Sequence, residues 1–203
     1  MLENQMMLLA VFERAALMLM TLFLLTRTRP FQRLFQKRDH TPAELLLVAA
    51  IFGLCAVFST YTGIPVEGAL INVRIIAIIS GGILFGPWVG IPAGVISGLH
   101  RYLIDMDGHT SIPCLIASII AGLLATWLHL RCRKSRLWLY GILAGMACEG
   151  LTMLLIWLLT EPHAVGVEIV SHIAYPMIAG TLCIGLIIKL VQDLDDEKEL
   201  IAA

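Results

Sequence analysis

Residues 69–103 read ALINVRIIAIISGGILFGPWVGIPAGVISGLHRYL, and this stretch decides the fold. It holds two permanent charges, Arg74 near one end and Arg101 near the other. An apolar segment of that length exceeds the ~20 residues that one membrane helix needs. The turn signal Phe85-Gly86-Pro87-Trp88 divides it into two short runs, 69–85 and 88–103. These form either two thin spans or a re-entrant pair. Gly82, Gly86, Gly90, Gly94 and Gly98 recur at every fourth position, which puts small residues on one face and lets helix backbones approach closely. Pro87 and Pro92 interrupt that ladder, and a bent or broken helix in a membrane often lines a cavity.

The rest of the chain repeats the pattern. Further apolar runs fall at 5–26, 44–62, 112–130, 139–160 and 166–191. Of the 203 residues, 59% are hydrophobic and 14% charged, against about 45–50% and roughly 25% in a soluble domain. A soluble globule of this size would expose large apolar patches. The runs lack the alternation of a membrane barrel, and in a bilayer each backbone donor and acceptor must be satisfied within the protein. The expectation is an all-α, polytopic transmembrane bundle of six to seven segments. A net charge of -1 with no basic stripe gives no case for nucleic-acid binding. Cys55, Cys114, Cys132, Cys148 and Cys183 show no paired spacing, so they read as small packing residues. No cleavable signal is expected at the N-terminus, where Glu3 precedes the apolar run.

Charge then orients the bundle. Arg27, Arg29, Arg33, Lys37 and Arg38 follow the first run; Arg131, Arg133, Lys134 and Arg136 follow the 112–130 run; Lys189 and Lys198 lie near the C-terminus. These are eleven of the 14 Lys and Arg residues, and the positive-inside rule makes all three places cytoplasmic. The N-terminus is therefore expected outside and the C-terminus inside, with seven crossings, or five if 69–103 is re-entrant. Glu67, Asp105, Asp107, Glu161 and Glu168 fall on the outer side.

Arg14, Arg74 and Arg101 remain outside the topological clusters. An arginine in a span is expensive and needs a partner or a function. Arg74 and Arg101 are expected at similar depth near the outer surface, where their guanidinium forks suit a planar carboxylate. Their alternative partners are Asp105, Asp107 or Glu67. Asn72, His100 and Tyr102 flank them, and the run that opens Ser111-Ile112-Pro113-Cys114 presents free N–H groups to an anion near Cys114 or Ser118; ordinary helix packing explains those two equally well. Glu149 is the deepest acid, open to a coupling role or to a hydrogen bond with His172 or an arginine. His129 reads as an interfacial residue. Glu13 and Arg14 are adjacent and expected to diverge. Nothing indicates a metal site, a cofactor or a hydrolytic triad.

Asn72-Val73-Arg74, Gly81-Gly82-Ile83-Leu84-Phe85-Gly86-Pro87-Trp88-Val89-Gly90 and Gly98-Leu99-His100-Arg101-Tyr102 form a series that resembles the membrane input domain (5TM-5TMR LYT) of LytS-type sensor histidine kinases. The stretches 8–18 and 65–68 look similar to the enteric, YpdA-like branch, taken to sense external pyruvate. The resemblance implies ligand contacts at Arg74, Arg101 and Cys114. The family's next hydroxyl position falls on Ala117, beside Ser118. It also implies a multi-pass protein of the bacterial inner membrane that acts as a homodimer. Members continue into a GAF domain, a phosphoacceptor region and an ATPase core that serve a response regulator. On this reading residues 1–191 are a ligand-sensing membrane domain and 192–203 begin a cytoplasmic signalling helix; the chain itself carries no catalytic core. A substrate-capture subunit of a small-molecule uptake transporter is the alternative, since the Gly-Pro-x-x-Gly turn in a small-residue bundle resembles those subunits too.

Overall fold

The computed structural model describes residues 2–28, 31, 41–66 and 69–202. Arg29, Arg33, Lys37, Arg38 and Glu67, used above for topology and charge pairing, lie outside the described residues. The helices are α1 (Leu2–Arg27), α2 (Pro42–Tyr61), α3 (Arg74–Phe85), α4 (Pro87–Ile104), α5 (Ser111–Arg131), α6 (Leu137–Leu159), α7 (His163–Gly180) and α8 (Leu182–Ala202). A 3-10 turn (Lys134–Arg136) precedes α6, and strands β1 (Ile64–Val66) and β2 (Ala69–Ile71) stand between α2 and α3.

Five helical stretches among the described residues are long and apolar enough to cross a membrane: Gln5–Leu25, Pro42–Tyr61, Ser111–Arg131, Lys134–Leu159 and His163–Asp193. The protein is thus an all-α polytopic bundle, apart from one small hairpin. The last stretch, expected as one run, is jointed. Pro176 lies inside α7, and Thr181 separates α7 from α8 while its hydroxyl donates to the Ile178 carbonyl at 2.6 Å. With 12 residues, α3 rises only about 18 Å, short of a ~30 Å hydrocarbon core.

Local chemistry sets the element ends. Thr41 and Glu44 form a reciprocal capping box at the start of α2, with Pro42 at the first helical position. Between α3 and α4 the chain reverses at Gly86, whose φ of 76° suits glycine. The His129 ring packs where a Gly86 side chain would project, and its Nδ1 lies 2.8 Å from the Ile83 carbonyl. His129 therefore pins the α3–α4 turn to the end of α5.

The glycine ladder is the contact surface of α4. Gly90 meets Gly82 of α3 and Gly122 of α5, Gly94 meets the Ser118 carbonyl, and Gly98 meets the Leu115 carbonyl. A second small-residue seam, Gly141 and Gly145, seats Ile184 and Ile188 of α8 against α6. Large apolar residues such as Leu46, Trp88 and Leu130 point outward, as a lipid-solvated surface permits.

The hairpin is antiparallel, pairing Ile64 with Ile71 and Val66 with Ala69. It displaces the start of the third helix to Arg74, leaving 69–73 non-helical. Irregular backbone at membrane depth survives where protein buries it. Here Ala69 and Ile71 are buried, and the Val73 N–H donates to the Ser59 hydroxyl of α2 at 2.9 Å. Glu13 and Arg14 do not diverge: their side chains approach to 3.8 Å, because two long and partly exposed chains can curl together despite being neighbours.

Candidate functional site

Helix lengths place the polar residues in one layer. Taking the Gly86–His129 contact as the floor, α3 carries Arg74 about 18 Å above it and α4 carries Arg101 about 22 Å above it, at ~1.5 Å per residue. By the same rise Cys114 stands about 22 Å above His129 on α5, and Glu149 about 18 Å above Leu137 on α6. Four helices thus deliver their ionisable or thiol side chains to a common depth.

Arg74 is the centre of this layer. It is 3% exposed, and its Nε and Nη1 have no hydrogen-bond partner among the described residues. Leaving a buried guanidinium unbonded is expensive, and the neighbourhood is arranged to use it. Arg74 lines a pocket together with Asn72, Thr110, Cys114, Glu149 and Thr152. The Asn72 side-chain nitrogen is likewise buried without a partner. Ala69, Leu70 and Ile71 of the hairpin form one wall, and Met153, Ile156, Ile173 and Met177 supply the apolar remainder from α6 and α7. The cavity measures about 20 Å³, above the ~10–15 Å³ that one water requires.

Arg101 stands behind this pocket. It is fully buried, with 0% exposure, and its Nη2 bonds Asp105 at 3.0 Å and the Thr110 hydroxyl at 2.9 Å. Nη1 reaches the Ser111 hydroxyl at 3.5 Å, and Ser111 in turn donates to the Asp105 carbonyl. Asp105 is thus the acid that neutralises Arg101, one helical turn along at i+4. The two arginines meet through Thr110, which lines the pocket with one face and accepts from Arg101 with its hydroxyl.

The remaining sequence candidates divide. Asn72, Cys114 and Glu149 come together around Arg74. Ser118 lies one turn below Cys114, its hydroxyl donating to the Cys114 carbonyl at 2.7 Å and its backbone packed against Gly94. His100 turns instead toward Tyr61 of α2, with Nε2 at 3.3 Å from the phenol oxygen. His172 lies 2.9 Å from its own helix's Glu168 carbonyl, so Glu149 faces Arg74 across the pocket and not His172. Gly82, Gly86, Pro87, Gly90, Gly94 and Gly98 line helix contacts or the α3–α4 turn. Sequence reading missed Thr110 and Thr152. Thr152 was legible, being three residues from Glu149 and therefore on its face of α6.

These features define a class: a multi-pass helical membrane protein with a small, partly polar pocket in the bundle around a buried arginine, two of whose nitrogens have no hydrogen-bond partner among the described residues. The chain belongs to the 5TM-5TMR_LYT family (5TMR of 5TMR-LYT), whose model matches residues 28–194. It is 58% identical over 97% of its length to the sensor histidine kinase YpdA of Escherichia coli (strain K12), covering 35% of that protein. It is 30% identical to the sensor protein LytS of Bacillus subtilis (strain 168), over 83% of this chain and 31% of LytS. It is also 30% identical to the sensor histidine kinase BtsS of E. coli (strain K12), over 91% of this chain and 34% of BtsS. The chain spans about a third of the length of these curated relatives. No solved structure matches it. Family and fold together make it a multi-pass protein of the bacterial inner membrane.

Proposed function

We propose that this chain is the membrane input domain of a two-component sensor histidine kinase and binds a small carboxylate of the pyruvate type at the Arg74 pocket. The observation that carries the reading is Arg74 itself, buried with two unbonded nitrogens facing polar neighbours. A guanidinium edge donates two parallel hydrogen bonds to a carboxylate; Nε and Nη1 lie on different edges of the group, so the second bond on either edge comes from Nη2. Asn72 adds a donor beside it, and Cys114 and Thr110 flank the remaining part of the ligand. Arg101 holds Asp105, Thr110 and Ser111 in place and so orders the outer wall.

The N-terminus lies outside, the pocket opens toward the outer face, and residues 192–203 begin the cytoplasmic signalling helix of a homodimer. In the whole protein a kinase region beyond this helix serves a cognate response regulator. The pocket walls include side chains that can adjust around a ligand of six non-hydrogen atoms. Met153 and Met177 are the pliable ones, with three rotatable bonds each. Met177 sits on α7, four residues before the Thr181 joint from which α8 runs to the cytoplasmic end. The ligand shifts the receptor between two arrangements by its different affinity for them. The relatives are sensors by name, which favours this reading over a transporter's capture subunit.

Calorimetric titration of the chain in lipid nanodiscs with pyruvate tests the proposal. Saturable binding is expected, and Arg74→Ala should weaken it at least ~30-fold, roughly 2 kcal/mol. Undiminished affinity in Arg74→Ala overturns the pocket assignment.

A further inference from the structure

We infer that Glu149 is a ligand-binding residue that keeps its proton in the occupied pocket and donates a hydrogen bond to the keto oxygen of a 2-oxo acid; the inference rests on the carboxylate-receptor reading above. Among the described lining residues, Arg74 is the one cation and Glu149 the one carboxyl, and they reach the pocket from different helices, α3 and α6. Cys114 of α5 is the remaining titratable group on the wall. Arg74 and Glu149 are 3% and 4% exposed. Among the described residues no ion pair joins them, and Nε and Nη1 of Arg74 stay unbonded.

Charge balance sets the state of Glu149 once a ligand is bound. A carboxylate on Arg74 supplies that guanidinium's counter-charge. Arg101 has its own in Asp105, 3.0 Å away, and although its Nε is unbonded, its side chain does not line the pocket. An ionised Glu149 would then be a buried charge with no cation left to pair it. Burying an unpaired charge costs far more than burying a neutral acid, so a carboxyl in that position takes up a proton. A protonated carboxyl has an O–H to donate. Other donors in the layer are spoken for. Arg74 and Asn72 serve the ligand's carboxylate, while the Thr152 hydroxyl, on the same face of α6, donates to the Cys148 carbonyl at 2.8 Å. Glu149 lies across the pocket from Arg74 and meets the part of the ligand beyond its carboxylate. A 2-oxo acid carries a hydrogen-bond acceptor there, and a saturated acid does not.

Pyruvate and propionate are matched probes: they share a carboxylate and a chain length, and only pyruvate has the keto oxygen. Both are titrated on the intact chain in nanodiscs. Propionate should bind at least ~10-fold more weakly than pyruvate, about 1.4 kcal/mol. Glu149→Gln keeps a neutral donor and should keep most of that gap. Glu149→Met has similar length but no donor, and should narrow the gap several-fold by weakening pyruvate while propionate changes little. Infrared difference spectra of pyruvate binding should show the C=O stretch of a protonated carboxyl shifting, a signal absent in Glu149→Gln. The infrared comparison does not use the Met variant and decides the matter where that variant fails to fold. Equal affinity for pyruvate and propionate in the unmodified chain overturns the inference, as does a gap unchanged in Glu149→Met or a difference spectrum without a protonated-carboxyl shift. In each of those cases, pyruvate binding that is lost in Arg74→Ala leaves the carboxylate-receptor reading standing and only the role of Glu149 falls. If neither acid binds the unmodified chain, that reading falls and this one with it.

Discussion

Replacing Gly94 by alanine tests whether the glycine ladder holds α4 and α5 together. A methyl group built at Gly94 would lie 2.5 Å from the backbone carbonyl oxygen of Ser118. Ordinary contact begins at 3.4 Å, so the helices must part by about 1 Å. The obstacle is backbone, which cannot rotate aside as a side-chain tip would. Overpacking of this kind destabilises by roughly 1–3 kcal/mol. For a chain of this size that corresponds to a fall in melting temperature of about 2–12 °C. Two other glycines calibrate the effect. Gly150 has nothing within 4 Å, and Gly53 meets Ile96 side-chain atoms no nearer than 3.5 Å. Gly150→Ala should be neutral or gain up to ~1 kcal/mol from helix propensity, and Gly53→Ala should change little. Thermal unfolding in nanodiscs, followed by circular dichroism, ranks the three. If Gly94→Ala melts within about 1 °C of Gly150→Ala, the close packing of α4 on α5 is not what the ladder provides.

Three further substitutions probe the surroundings of the pocket. Asp105→Asn should cost about 1–2 kcal/mol, the lower part of the range for a charged hydrogen bond because Asp105 is partly exposed; Asp107→Asn, with no such partner among the described residues, should leave the melting temperature unchanged. His129→Ala removes the bond to the Ile83 carbonyl and should lower stability by roughly 0.5–1.5 kcal/mol, with faster amide exchange around Gly86 by mass spectrometry. Thr41→Ala breaks the capping box at the start of α2 and should destabilise by about 0.5–2 kcal/mol in the same unfolding assay, without altering pyruvate affinity.

Much of the bundle was legible because bilayer physics leaves few options. Apolar runs became helices, Gly86-Pro87 became the turn, and the every-fourth glycines became the tight face of α4. Setting aside the clustered basic residues left Arg14, Arg74 and Arg101, of which the last two proved deeply buried. Their difference in role was harder to read. The i+4 spacing of Arg101 and Asp105 was visible, but whether an exposed-looking acid turns inward depends on the loop that returns Thr110 and Ser111 to it. The meeting of Arg74 with Glu149 joins positions 75 residues apart. It follows from the shortness of α3, which keeps Arg74 as deep as mid-α6, and no local pattern announces that. The hairpin escaped because three-residue strands carry too little alternation to register as a period.

The central claim is that a small carboxylate bonds Arg74 within the membrane bundle. Solid-state NMR measures this directly, by dipolar recoupling between ¹³C-carboxylate pyruvate and ¹⁵N-guanidinium arginine in the reconstituted chain. The account predicts dephasing of the pyruvate carboxylate signal, lost in Arg74→Lys and retained in Arg14→Lys. A saturating ligand whose carboxylate shows no coupling to arginine nitrogen, or the same coupling in Arg74→Lys, would contradict it.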